Sequence, residues 1–243
     1  MNPVYLRYEL LRTFRNRRYF MFAILIPVVL FFATAGPNRN ESDLAGTGIS
    51  APLYFMVGLA AFGGMNAVVS VGGRIAAERS TGWTRQLRLT PLSTRGYFRA
   101  KVATAYALAL VTLALLFFSG TTLGVRLPAG EWVRMTGLML IGLVPFVALG
   151  IFLGHVLTTE STGPAIGGIT ALFALLGGTW FPIQDGVMHD IAEALPSYWL
   201  VQASHVSLGG AGWTGLGWFV VAAWTVALGA LAAHAYRRDT KGM

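Results

Sequence analysis

Six stretches of this chain are apolar over the ~20 residues that an α-helix, rising 1.5 Å per residue, needs to cross ~30 Å of hydrocarbon. They run from about Tyr19 to Ala35, kinked near Pro27; Leu53 to Ile75; Val102 to Gly124; Met135 to Leu157, through Pro145; Pro164 to Phe181, rich in glycine; and Leu216 to Ala235, stopped by Arg237, Arg238 and Lys241. The composition agrees. Of 243 residues 55% are hydrophobic and 12% charged, against about a quarter charged in soluble domains. The fold class this predicts is an all-α integral membrane protein with six transmembrane helices in one domain spanning 1–243. The formal charge of +8 sits beside the apolar spans, which points to anionic lipid headgroups and not to nucleic acid. With no cysteine, disulfides and thiolate metal sites are ruled out. The N-terminus does not read as a cleavable signal, because its basic portion is long and no small-residue cleavage site follows cleanly.

Lys and Arg are distributed unevenly between alternate loops. Five lie in the N-terminal segment, seven between Arg74 and Lys101 and three in the C-terminal tail, whereas the other side has Arg39, Arg126 and Arg134. The positive-inside rule then places both termini in the cytoplasm of a cell membrane protein, as an even number of spans requires. Residues 1–18 read as an interfacial helix with Leu6, Leu10, Leu11 and Phe14 on one side and Glu9, Arg12, Arg15 and Asn16 on the other. A basic tail that only enforces orientation is the alternative. Segment 182–215 holds acids but no Lys or Arg; Ile191, Leu195, Tyr198 and Trp199 lie near helical spacing and Pro196 breaks the run. It is expected to form re-entrant helices between spans five and six, dipping into the outer leaflet and packing on the bundle.

One polar run stands out, ERSTGWTRQLRLTPLSTRGYFRAK from Glu78 to Lys101, with Glu78 its single acid. Over 77–101 it predicts a cytoplasmic loop carrying a short coupling helix between spans two and three. Trp83 and Leu87, four residues apart, form an apolar knob for a groove on a soluble partner, Arg85 and Arg88 meet acidic rims, and Pro91 ends the helix. A loop that merely anchors to anionic lipid is the plainer reading.

Catalytic patterns are missing: no GxxxxGK[S/T], no HExxH, no GxSxG. The glycines from Gly210 to Gly215 fit a dinucleotide pattern, but no strand precedes them and a membrane span follows. His155, His189, His205 and His234 are scattered and form no metal-spaced pair. The acids fall in loops or at span ends, so buried charge is expected to be nearly absent and the driving energy to come from another polypeptide. Phe55, Phe62, Met65, Asn66, Thr170, Phe173 and Trp180 are candidates to line an adaptable substrate pathway, with lipid-facing packing the alternative for each. Gly163 and Gly167 make a GxxxG step, an intramolecular packing feature or a dimer seam. Asp185, His189, Asp190 and Glu193 are the only cluster that a membrane-embedded lipid-modifying enzyme would use; a solvated face is the plainer account.

The run after the second span resembles the cytoplasmic loop of ABC type-2 export permeases through Glu78, Gly82, Leu87, Thr90, Pro91, Leu92 and Lys101, with Gly82-Trp83 where that family more often has Gly-Thr. A second match, GGTWFPIQDGVMHDIAEALPSYWLVQASH, is similar to the family's segment before its last span through Gly177, Gly178, Phe181, Pro182, Leu195 and Pro196. The resemblance implies a permease that pairs with a second copy or a paralogue and with separately encoded ATPase subunits. Those subunits, not this chain, would bind ATP and Mg. Coupling would run through Glu78, Gly82, Trp83, Arg85, Leu87, Arg88, Thr90 and Pro91. The implied cargo is a hydrophobic or amphipathic drug, antibiotic or lipid-like compound; polysaccharide or teichoic-acid export is the alternative, and a non-transporting sensor subunit a further one.

Overall fold

The computed structural model describes residues 3–15, 17–83, 86, 89–90, 92–209 and 212–241, with the side chains of 3, 17–24 and 240–241 left undescribed. Among these residues the chain is all-helical. Four helical runs are long and apolar enough to cross a membrane: Ala51–Ser80, Thr94–Thr122, Ala129–Val156 and Gly215–Asp239, with a shorter apolar helix at Leu25–Ala35.

The order is α1 (Pro3–Arg15), α2 (Arg17–Ala35), α3 (Ala51–Val69), α4 (Val71–Ser80), α5 (Thr94–Thr122), α6 (Ala129–Gly142), α7 (Val144–Val156), α8 (Thr159–Leu176), α9 (Val187–Glu193), α10 (Pro196–Gln202) and α11 (Gly215–Lys241). Local chemistry sets most of these limits. Ser93 Oγ caps α5 by accepting from Gly96 N at 3.2 Å, so the helix starts eight residues before the apolar run at Val102. Pro145 has no N–H to continue α6, and the run from Ala129 to Val156 breaks at Leu143. Thr158 and Ser161 form a reciprocal capping box that opens α8 ahead of Pro164. The fifth apolar stretch therefore occupies a helix displaced toward the N-terminus from the expected Pro164 to Phe181. It stops at Leu176 because Gly178 turns the chain at φ +75.

The axis of the bundle is α3, packed most extensively on α5 and also on α2, α7 and α8. It continues into α4 through a tight turn at Ser70. Where α4 crosses α7 the backbones nearly touch. A Cβ added at Gly72 would stand 2.4 Å from Gly150 O, and one at Gly150 would stand 2.6 Å from Val69 O. Gly150→Ala should therefore destabilise the protein by about 1–3 kcal/mol through overpacking. Gly137→Ala, where an added Cβ meets nothing within 4 Å, should be neutral or better. Thermal unfolding in detergent separates the two; equal melting temperatures would refute the close crossing.

Segment 182–215 is tied down by tryptophans. Trp199 Nε1 donates to Glu193 O at 2.9 Å, Trp213 Nε1 to Trp199 O at 2.6 Å and Trp224 Nε1 to Ala194 O at 2.8 Å. Tyr54 OH donates to Gly178 O, joining the start of α3 to the turn that follows α8.

Candidate functional site

Helices α1, α4 and α5 meet at a buried knot of charge. Lys101 Nζ stands 2.5 Å from both Glu9 Oε1 and Glu78 Oε1. Arg12 Nη1 donates to Glu78 Oε1 at 2.9 Å, and Tyr97 OH to Glu78 Oε2 at 2.8 Å. Lys101 is 0% exposed, Glu78 1% and Glu9 4%. Arg74 Nη1 donates to Thr13 Oγ1, and Thr13 Oγ1 donates to Glu9 O at 2.9 Å. Tyr5 and Tyr97 pack their rings 6.3 Å apart beside the knot. Burial and the neighbouring carboxylates, Glu9 foremost, push the Tyr5 phenol up from its ordinary value, so it stays protonated.

Two readings of the sequence change here. Buried charge is not nearly absent, because the acids at the helix ends are drawn together in three dimensions. The two sides of α1 also differ from the expected ones: Glu9 and Thr13 face the bundle, Arg12 and Arg15 stay exposed, and Val4, Tyr8, Leu11 and Phe14 are exposed as an apolar stripe. A paired carboxylate can be buried where a lone one cannot.

Beyond α4 the chain turns at Gly82, whose φ of +70 suits glycine alone. Trp83, Gln86, Leu89 and Thr90 are exposed. Arg85, Leu87, Arg88 and Pro91 lie outside the described residues, so the structure gives no account of the knob that Leu87 would share with Trp83. Glu78 makes its contacts within the chain. Arg79 donates to Gly154 O at 3.0 Å and pairs with Asp239 at 2.8 Å, which ties the loop's near end to α7 and α11.

Next to the knot opens a groove of about 620 Å³ between α1, α2, α3, α4 and α8. Within α3 only Phe62 and Asn66 escape full burial, and both line it. The stripe continues at helical spacing through Ser70, Gly73, Arg74 and Ala77; the facing wall includes Thr162, Gly163, Ile166 and Gly167 from α8. Apart from Arg79 and Ser80 at the end of α4, the groove thus takes up the uncovered residues of the central helix pair. Arg12 and Arg74 are the only charged residues among its described lining.

Of the pathway candidates, the structure brings Phe62 and Asn66 into this groove and supports them with two others. Thr170 Oγ1 donates to Asn66 Oδ1 at 3.0 Å, and the Trp180 ring meets Phe62 edge-on at 5.8 Å. Phe55 and Met65 are buried in the core, and Phe173 packs between Phe146 and Trp224, away from the lining. A Cβ added at Gly163 or Gly167 would meet nothing within 4 Å, so neither glycine serves packing inside the chain. Ser70, Arg74, Thr162 and Ile166 were not among the sequence candidates; the four-residue spacing of Phe62, Asn66 and Ser70 is the signal that marks their face. On the opposite end of α8, Asp185 and Asp190 are exposed, while His189 lies 3.1 Å from Tyr198 OH and 4.0 Å from Glu193.

The described residues thus form a helical bundle with four helices long and apolar enough to cross a membrane, an open groove and a buried knot of ion pairs. Residues 31–234 match the model of the ABC-2 family transporter proteins, and the chain belongs to that family. It is also similar to a Bacillus subtilis (strain 168) protein that goes by the name transport permease YvfS, with 29% identity over 196 residues, covering 78% of each chain. Membership makes the chain a transport permease and implies partnership with an ABC ATPase.

Proposed function

We propose that the chain is the membrane-spanning subunit of an ATP-driven exporter in a bacterial cell membrane, moving an amphipathic compound outward along the groove. The observation that carries this is the stripe from Phe62 to Ala77, left open along a helix pair whose remaining residues are buried up to Glu78. In this reading α2 and α8 complete six spans, both termini are cytoplasmic, and α1 lies on the inner surface with Val4, Tyr8 and Leu11 toward lipid. Two ATPase subunits binding ATP and Mg grip the loop after α4, and the knot transmits their closure to α1 and α5. A second permease, copy or paralogue, closes the groove from the side of Gly163 and Gly167. Amphipathic cargo is favoured over polysaccharide because Phe62 is the only aromatic among the described lining residues, too few to stack a run of sugar rings.

Reconstitution with its ATPase tests the reading: ATP-dependent loss of a fluorescent amphiphile from the ATP-containing side is expected. Transport by the permease alone would overturn it. Orientation can be checked separately, because the chain has no native cysteine. A cysteine at Asp43 should react with an impermeant maleimide in intact cells; labelling only after lysis would reverse the topology.

A further inference from the structure

We infer that the end of the groove beside α1 is a binding site for the anionic head of the cargo, so that the compound moved is an amphiphile carrying a phosphate or carboxylate. This rests on the exporter reading and narrows its substrate class.

The charges around the groove are sorted by sign. Glu9 and Glu78 are turned away into the knot and held by Lys101, and no Asp or Glu is among the described lining residues, whereas Arg12 and Arg74 both are. Among the described residues of the knot, three cations, Arg12, Arg74 and Lys101, face two carboxylates, Glu9 and Glu78, so the formal balance is one positive charge. Arg74 is the group left short of a partner. Its Nη1 donates to Thr13 Oγ1, but its Nη2 is enclosed and donates to nothing. A buried guanidinium nitrogen without an acceptor calls for one, and a phosphate or carboxylate matches the fork geometry.

Two of the lining hydroxyls do not compete for that role. Ser70 Oγ donates to Ala67 O at 2.6 Å and Thr162 Oγ1 to Thr158 O at 2.5 Å, so their hydroxyl protons are already committed to backbone. The rest of the lining suits a tail: Ile26, Pro27, Phe62 and Ile166 are apolar. A volume of about 620 Å³ lies in the range that holds drug-sized ligands. The exposed stripe Val4, Tyr8 and Leu11 on α1 sets this end of the groove at headgroup depth, where an amphiphile's charge resides.

The full chain in phosphatidylcholine nanodiscs, titrated with dodecyl phosphate or with dodecanol and read by native mass spectrometry, tests the site without ATP or ATPase. Dodecyl phosphate should bind at least about tenfold more tightly than dodecanol, and Arg74→Gln should remove that preference while Arg74→Lys keeps part of it. Because Arg74→Gln also removes the Thr13 contact, Gly163→Phe gives an independent check, filling the groove from the far wall at a position where an added Cβ touches nothing. It should abolish binding of both probes, and Arg126→Gln, which lies outside the lining, should change neither. Replacing part of the phosphatidylcholine by phosphatidylglycerol distinguishes the source: competition assigns the head to a bilayer lipid, and unchanged binding assigns it to a freely diffusing amphiphile. Equal binding of dodecyl phosphate and dodecanol, or an Arg74→Gln variant that keeps the preference, would overturn the inference. A chain that shows the preference yet exports nothing with its ATPase would sink the transport reading and leave this site standing.

Discussion

Lys101→Met is expected to cost about 3–5 kcal/mol, the range found when one partner of a buried ion pair is removed and the other is left uncompensated. Here two carboxylates are left, since Glu9 and Glu78 each stand 2.5 Å from the ammonium. Arg12 reaches Glu78 but is half exposed, and Tyr97 offers a neutral donor, so neither replaces the lost charge. Against a typical total stability of 5–15 kcal/mol the loss is large, and most of the protein should fail to appear as a monodisperse peak in detergent. Adding Glu9→Gln and Glu78→Gln to Lys101→Met removes the stranded charges and should recover part of the stability. A single variant with the wild-type melting temperature would show that the knot does not hold α1 to the bundle.

Trp83→Ala combined with Leu87→Ala should lower permease-stimulated ATP hydrolysis and transport by about 30-fold or more, the loss associated with a 2 kcal/mol interface anchor. Stability should change little. Trp83 is 42% exposed, beyond the end of α4 at Ser80, and truncating it opens no cavity in the bundle. That contrast separates the two regions, because damage at the knot is expected to reach the fold and damage at Trp83 and Leu87 to reach coupling. Normal coupling in the double variant, assayed at matched amounts of assembled complex, would discredit the knob.

Helical class and the special position of Glu78 and Lys101 could be read from the sequence, since apolar length and the family pattern are local or linear signals; the break at Leu143 was not read, because Met135 to Leu157 is apolar throughout and looks like one span through Pro145. That Glu78 and Lys101 touch could not be read. They are 23 residues apart across a loop, and periodicity carries no record of which helix end meets which. The same limit explains α1: leucine spacing pointed to a greasy face and a wet one, whereas the face carrying Glu9 is buried because a cation supplied from α5 meets it there. Phe55 and Met65 looked as suited to a pathway as Phe62 by residue type. Only the packing of α3 by its neighbours decides that positions 62 and 66 stay uncovered.

Glu9 precedes Lys101 by 92 residues. During synthesis it therefore emerges long before the ammonium that neutralises it, and for that interval the N-terminal helix has no seat to occupy. The first element made must wait as a peripheral passenger until the ribosome has completed the loop and the start of the following span. The oldest part of the nascent protein thus gains its neutralising partner only once the helix that begins at Thr94 is under way, with more than half of the chain still to be made.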